Sequence, residues 1–186
     1  NAISELGLEK LPKDNFDVGP DLTGADAILL RSFKLEAASI TNPLKAVARA
    51  GAGVNNVPVG ECTQKGVVVF NTPGANANAV KELVLCGLLL GSRGVIPGIG
   101  FATSQENVTD YSELSKLVEA EKKRFKGNEI AGKTLGVVGL GAIGSMVADM
   151  AIKLGMNVQG FDPALSVDAA WRLPSNVKRI ENLNTL

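Results

Sequence analysis

The sequence contains no histidine among its 186 residues. This excludes a His general acid or base, a Ser/His/Asp triad and a His metal site within the chain. Cysteine is almost as scarce. Cys62 and Cys86 are too few and too scattered for a disulfide scaffold or a zinc cluster, so no metal site is expected. Neither sign of charge is in excess: 19 basic and 19 acidic residues leave a formal net charge of zero. That argues against a nucleic-acid partner or an anionic membrane surface held by bulk charge. Long hydrophobic runs are missing too. The longest, LVLCGLLL from Leu83 to Leu90, falls well short of the roughly twenty residues that a membrane span needs. The first residues carry no cationic stretch leading into an apolar one, so a cytoplasmic protein is the expectation.

What is present suits a packed α/β protein. Hydrophobic residues make up 45% of the chain and charged residues 20%, enough apolar material for a sizeable core. Ala27–Leu30, Ala46–Ala48 and Val67–Phe70 read as strands. Their apolar runs are continuous, as expected where both faces of a sheet are covered. Asn78–Arg93 reads as a long helix capped by Asn76 or Asn78. It has almost no polar face, so deep burial is expected, with Cys62 and Cys86 as buried small hydrophobes. The chain then changes character, with four glycines and Pro97 in Gly91–Gly100. Residues 105–126 read as a charged helix with a solvated face.

A second αβ pattern follows. Leu135, Val137 and Val138 mark a strand. Ile143, Met146, Val147, Met150, Ala151 and Leu154 form one stripe of an amphipathic helix, and Asp149 and Lys153 sit one turn apart on its exposed side. Gly155 is placed to end that helix, and Val158–Phe161 is the next strand. Trp171 is expected to pack rather than bind. Strands alternating with helices favour parallel sheets, arranged as two lobes, residues 1–73 and 74–186. The second lobe looks incomplete, with the chain stopping where its third strand should begin.

The most specific motif is Gly139-Leu140-Gly141-Ala142-Ile143-Gly144, a G-x-G-x-x-G between a strand and a helix. Asp162 closes the next strand, 21 residues after Gly141. This context is that of a dinucleotide site. Gly139 permits the tight turn, Gly141 lets the backbone approach a pyrophosphate, and Gly144 lets helix and strand pack closely. Helix N–H groups starting near Ala142 and Ile143 favour phosphate. Asp162 suits a ribose and repels a 2′-phosphate, so NAD is favoured over NADP. In the first lobe, Arg49-Ala50-Gly51-Ala52-Gly53-Val54-Asn55-Asn56 follows a predicted strand. Gly51 and Gly53 permit a nest of backbone N–H groups for an anion such as a carboxylate. Arg31 and Arg49 both end strands and offer planar forks of donors for carboxylate or phosphate. Asn71–Asn76 is a third turn, read as a hinge or cleft-lining loop.

RAGAGVNNVP at 49–58, NTPGANANAVKELV at 71–84, and GKTLGVVGLGAIG at 132–144 with FDP at 161–163 closely resemble the D-isomer-specific 2-hydroxyacid dehydrogenases. The resemblance runs from about Ala27 to Asp162. It implies a flavodoxin-like substrate lobe followed by a Rossmann-type NAD lobe, here incomplete, with hydride transfer between C2 of a hydroxy acid and nicotinamide. It also implies that Gly51–Asn55 holds the substrate carboxylate, that Arg31 and Arg49 line the substrate site, and that Ala52 lies near the nicotinamide. Ala142 and Ile143 match the pyrophosphate turn, and Asp162 the ribose-binding acid. The two arginines favour a phosphorylated hydroxy acid as the small-molecule substrate. A homodimer formed through the NAD lobe is implied as well.

There are departures from the family pattern. Asn55 stands where many members carry Asp, and Ala142 where many enzymes acting on phosphorylated substrates carry Arg. The family's catalytic Arg, Glu and His have no counterpart here, so no catalytic residue is expected within the chain, which resembles the N-terminal part of such an enzyme and is expected to be inactive alone. Two alternatives share the pattern: a member acting on glycerate, glyoxylate or lactate, and a non-catalytic NAD-sensing module on the same fold.

Overall fold

A computed structural model describes residues 3–20 and 22–186. Chain contacts divide it into two units between Asn76 and Ala77, slightly later than the boundary expected from sequence. In the first unit the order is α1 (Glu5–Leu8), β1 (Ala27–Leu30), a 3-10 turn (Ala37–Ser39), β2 (Ala46–Arg49), α2 (Val59–Gln64) and β3 (Val68–Asn71). The strands are parallel and lie in the order β1-β2-β3. Leu30 is level with Arg49, and Arg49 with Asn71, so these three residues mark one edge, the C-terminal edge of the sheet.

Leu30, Ile40, Val47 and Cys62 are fully buried, and Leu35, Val57 and Val67 complete this core. Burial pushes the Cys62 thiol pKa up, so it stays protonated and inert at neutral pH. The sheet is not covered on both faces, as its continuous apolar runs predict. Leu29, Val68 and Phe70 are exposed, Phe70 at 56%. Cys62 of α2 joins the core on one face, whereas α1 buries nothing. The described elements therefore cover a single face, and the strand residues alternate between core and surface despite their uniform composition.

In the second unit the order is α3 (Ala77–Ser92), α4 (Val95–Ser104), α5 (Tyr111–Glu121), a 3-10 turn (Lys122–Phe125), β4 (Thr134–Val138), α6 (Ala142–Lys153), β5 (Asn157–Phe161), α7 (Val167–Ala170), β6 (Val177–Arg179) and a last 3-10 turn (Leu183–Thr185). Its strands are again parallel, in the order β4-β5-β6. Val137, Leu140, Ala148, Ala151, Met156 and Val158 form the core. Gly155 ends α6 with a left-handed φ of 79°, a conformation that glycine adopts without Cβ strain. The Asp149–Lys153 pair forms at 2.7 Å.

Several sequence expectations need correction here. α3 forms where expected, but it is not deeply buried: among its residues only Ala77 is buried, Leu83 is 71% exposed, and Cys86 is an exposed free thiol. The helix packs against α6, with Leu88 reaching the core, while among the described residues much of its remaining apolar surface stays exposed. Asn78 is no cap but a first-turn residue, whose amide nitrogen donates to Glu82 at 2.8 Å and whose oxygen accepts from Lys81 at 2.6 Å.

The glycine-rich stretch Gly91–Gly100 is largely helical, because it holds the end of α3 and the start of α4. Pro97 lies in the first turn, where a missing N–H disturbs nothing. Gly94 makes room for a close approach, since a Cβ there would lie 2.7 Å from the Phe125 Cα. Phe101 and Phe125 then meet with ring centroids 5.4 Å apart. α5 starts later than the charge pattern suggests, at its Asp110 cap, which accepts from the N–H groups of Ser112 at 2.7 Å and Glu113 at 3.2 Å.

The third strand of this unit is present. β6 pairs with β5, and Val158 lies level with Val177. Trp171 does not pack, being 84% exposed. Among the described residues no single helix is long and apolar enough to cross a membrane, and α3 with α4 passes that test only as a pair bent by 67°.

Candidate functional site

Two glycine turns sit at the C-terminal ends of strands, one in each unit. In the second unit, β4 ends at Val138 and the chain turns through Gly139, whose φ of 85° is left-handed. Gly141 then serves as the N-terminal cap position of α6. A Cβ built on Gly141 would meet nothing within 4 Å, so the backbone is open to approach on that side. Gly144 is the opposite case. A Cβ there would overlap the Gly139 carbonyl oxygen and lie 3.3 Å from Val137 Cγ1, so only glycine lets α6 close against β4.

The first-turn amides of Ala142, Ile143 and Gly144 have no carbonyl one turn earlier within the helix. Together with the helix dipole they favour an anion. The Gly141 side of the cap has no side chain to compete for them, while Ser145 Oγ turns back to donate to the Gly141 carbonyl at 2.8 Å. Asp162, just beyond β5, is half-buried and reaches the same turn: its Oδ2 accepts from the Leu140 N–H at 2.8 Å.

In the first unit, Arg31 follows β1 and Arg49 ends β2. The Arg49 Nε donates to the Arg31 carbonyl at 3.1 Å, which links the two strand ends. The Arg49 guanidinium lies over Gly51, where any Cβ would overlap it. Gly51 accepts from the Thr72 N–H at 3.0 Å, which binds this loop to the turn after β3. Gly53 lies beside Asn55, whose Oδ1 would be 3.2 Å from a Cβ built there. Arg31, Arg49, Gly51, Ala52, Gly53 and Asn55 are thus gathered at one end of one sheet. The planar forks of the arginines and the backbone N–H groups of the loop can hold a carboxylate or phosphate.

Two residues that build this loop lie outside the predicted set. Asn71 donates to the Ala52 carbonyl at 2.7 Å. Asn56 donates to the Arg31 carbonyl at 3.1 Å and the Phe33 carbonyl at 2.7 Å, while its own Oδ1 is buried without a partner. Asn71 is the last residue of β3 and Asn56 stands three residues after Gly53, and neither position says which carbonyl its amide will reach.

The family model for the D-isomer specific 2-hydroxyacid dehydrogenase catalytic domain matches residues 5–169. The chain belongs to this family. Among curated proteins this dehydrogenase-family chain is 35% identical to the D-3-phosphoglycerate dehydrogenase of Methanocaldococcus jannaschii, over 87% of its own length and 29% of that protein. It is 37% identical to the enzyme of the same name from Synechocystis, over 91% of its length and 31% of that protein. It is also 36% identical to a hydroxypyruvate reductase of Thermotoga maritima, over 86% of its length and 48% of that protein. The chain therefore spans about 30% of the length of the phosphoglycerate dehydrogenases it matches.

Solved structures agree on the fold. A 2-hydroxyacid dehydrogenase from Ketogulonicigenium vulgare superposes with a TM-score of 0.70 at 26% identity, covering 87% of this chain and 46% of that one. The NAD+-bound 3-phosphoglycerate dehydrogenase of Entamoeba histolytica gives 0.58 at 27% identity, covering 85% and 41%.

Proposed function

We propose that this chain supplies the cofactor turn and part of the substrate loop of an NAD-dependent oxidoreductase that converts 3-phospho-D-glycerate to 3-phosphohydroxypyruvate, the entry into serine biosynthesis. The observation that carries the reading is the turn after β4, where Gly141 leaves open space, Gly144 seals the helix onto the strand, and Asp162 stands beside them. These residues fit a dinucleotide. When bound, NAD supplies the acceptor for the hydride that leaves C2 of the hydroxy acid. The amides of Ala142, Ile143 and Gly144 hold the pyrophosphate, with Gly139 and Gly141 shaping their approach. Asp162 accepts from an adenosine ribose, and its negative charge rejects a 2′-phosphate. The loop Gly51–Asn55 and the guanidinium groups of Arg31 and Arg49 orient the substrate's carboxylate and phosphate.

The hydroxyl proton needs a base as the hydride departs. With no histidine in its 186 residues, the chain binds without supplying a His base. Calorimetric titration with NAD and with NADP tests the cofactor assignment. NADP should bind at least about tenfold more weakly, the outcome of one unfavourable charge contact worth about 1.4 kcal/mol. Equal affinity would refute the role given to Asp162. Steady-state rates of the complete enzyme with 3-phospho-D-glycerate and with glycerate test the substrate. The relative named hydroxypyruvate reductase keeps an unphosphorylated substrate as the second reading, and a preference for glycerate would establish it.

The protein also pairs with a second copy through the second unit. Leu83, Cys86 and Leu90 stand on α3 at helical spacing and are exposed, and Ile96 and Ile99 on α4 are exposed as well. An exposed apolar stripe of this kind suits a subunit contact. Leu83→Asp should shift sedimentation of the complete protein from dimer to monomer without lowering the helical signal in circular dichroism. An unchanged dimer would remove α3 from the interface.

A further inference from the structure

The turn that carries the three glycines is held by groups outside the motif. The Gly139 N–H donates to the Phe161 carbonyl at 2.8 Å. The Leu140 N–H donates to Asp162 Oδ2 at 2.8 Å, and the Ala164 N–H donates to Asp162 Oδ1 at 2.9 Å. Each oxygen of this half-buried carboxylate thus has a backbone donor of its own, one from the turn and one from the chain after β5.

The apolar side of Leu140 is fixed as firmly. Its side chain is buried in the core of the second unit and lies over Gly160 on β5. A Cβ on Gly160 would come within 2.8 Å and 3.2 Å of the two Leu140 methyl carbons and 3.2 Å of Val177 Cγ1 on β6. Leu140 is therefore held by its N–H and by its side chain, and both anchors lie at the end of β5.

We propose that Asp162 is a positioning residue for the glycine turn, locking Leu140 in place before any ligand arrives, with the seat of Leu140 on Gly160 as the apolar half of the lock. The functional half of this proposal rests on the dinucleotide reading above. The chemistry permits both roles together. An ionised carboxylate only accepts, and its two oxygens offer about four lone-pair sites, so each can hold a backbone N–H and still accept from a ribose hydroxyl. Hydrogen bonds to a charged acceptor are also stronger than neutral ones. Asparagine is close in shape but cannot substitute. Its NH2 group has no acceptor site, so one of the two backbone donors would face another donor. A residue needed only to touch a ribose would tolerate that change far better, because the amide oxygen can still accept from one hydroxyl.

The test uses the full chain and its Asp162→Asn and Gly160→Ala variants. Amide hydrogen exchange measured by NMR without ligand should show the Leu140 N–H losing protection by about tenfold or more in both variants, while Val137 within β4 stays protected. Unchanged protection of Leu140 in Asp162→Asn would overturn the lock. The second arm compares binding of NAD with binding of its 2′,3′-dideoxyadenosine analogue, which lacks the hydroxyls that Asp162 would contact. The lock predicts that Asp162→Asn weakens both ligands. A loss confined to NAD itself would reduce Asp162 to a ribose contact and refute the positioning role. If the unaltered chain bound neither ligand, the dinucleotide reading would fail instead, and the exchange arm would still decide the lock.

Discussion

Gly144→Ala is expected to lower both stability and dinucleotide affinity, while Gly141→Ala lowers affinity with only a small effect on stability. The two glycines share one turn and differ in what surrounds them. At Gly144 a methyl group would overlap the Gly139 carbonyl and press on Val137, and both obstacles belong to the backbone or the core. Helix α6 would have to lift from β4, at a cost of about 3 kcal/mol by the scale of overpacked cores. A Cβ built on Gly141 meets nothing within 4 Å, and its φ of −69° is not left-handed, so a side chain brings no left-handed strain there. Alanine is only a poorer helix cap there, at about 1 kcal/mol. The same methyl group would stand where a pyrophosphate must approach, lowering affinity by on the order of 100-fold, or about 3 kcal/mol. Thermal unfolding and calorimetric titration of both variants check the contrast. If Gly141→Ala bound NAD as well as the parent chain, the turn would not be the phosphate seat.

The second large effect concerns Arg49. On the proposed function, Arg49→Ala should lower kcat/KM for 3-phospho-D-glycerate by about 100-fold, the loss of a charge-assisted pair worth about 3 kcal/mol. Arg49→Lys should recover little. An ammonium can act as a point charge, but it cannot donate from Nε to the Arg31 carbonyl while presenting a planar fork to the substrate. Gly51→Ala should resemble Arg49→Ala in kinetics because its methyl group displaces the guanidinium. Its melting temperature should change little, since the displaced group is the flexible end of a side chain. Steady-state kinetics with melting curves on all three variants decide the matter. Undiminished kcat/KM in Arg49→Ala would take the arginine out of the substrate site.

The parts of this molecule that are legible in the sequence are those fixed by local backbone demands. Gly139, Gly141 and Gly144 fall at the spacing of a strand–turn–helix, and the turn has that shape because a left-handed φ and a crowded crossing admit only glycine. Gly155 is legible for the same reason. What depends on neighbours is not legible. The apolar composition of α3 predicts a helix correctly but not its exposure, which is set by how many elements pack on it. Gly94 and Pro97 look like breakers in the sequence. In the fold, Gly94 admits the Phe125 backbone at the cap position of α4 and Pro97 sits in the first turn, so α4 starts directly after the one and runs through the other. β6 has only Val177, Lys178 and Arg179, with no apolar run, and it is a strand because β5 offers an edge. The link from Leu140 to Gly160 and Asp162 spans about 20 residues and depends on strand pairing, so no local pattern signals it.

Both sheets place their strands side by side in the order in which the chain runs. A ribosome would release β1, then β2, then β3, and each newcomer would find its partner already waiting at the open edge. The same holds for β4, β5 and β6. Among the described residues every strand after the first in its sheet pairs with the strand made just before it, so this pairing can begin while the nascent chain is still being made.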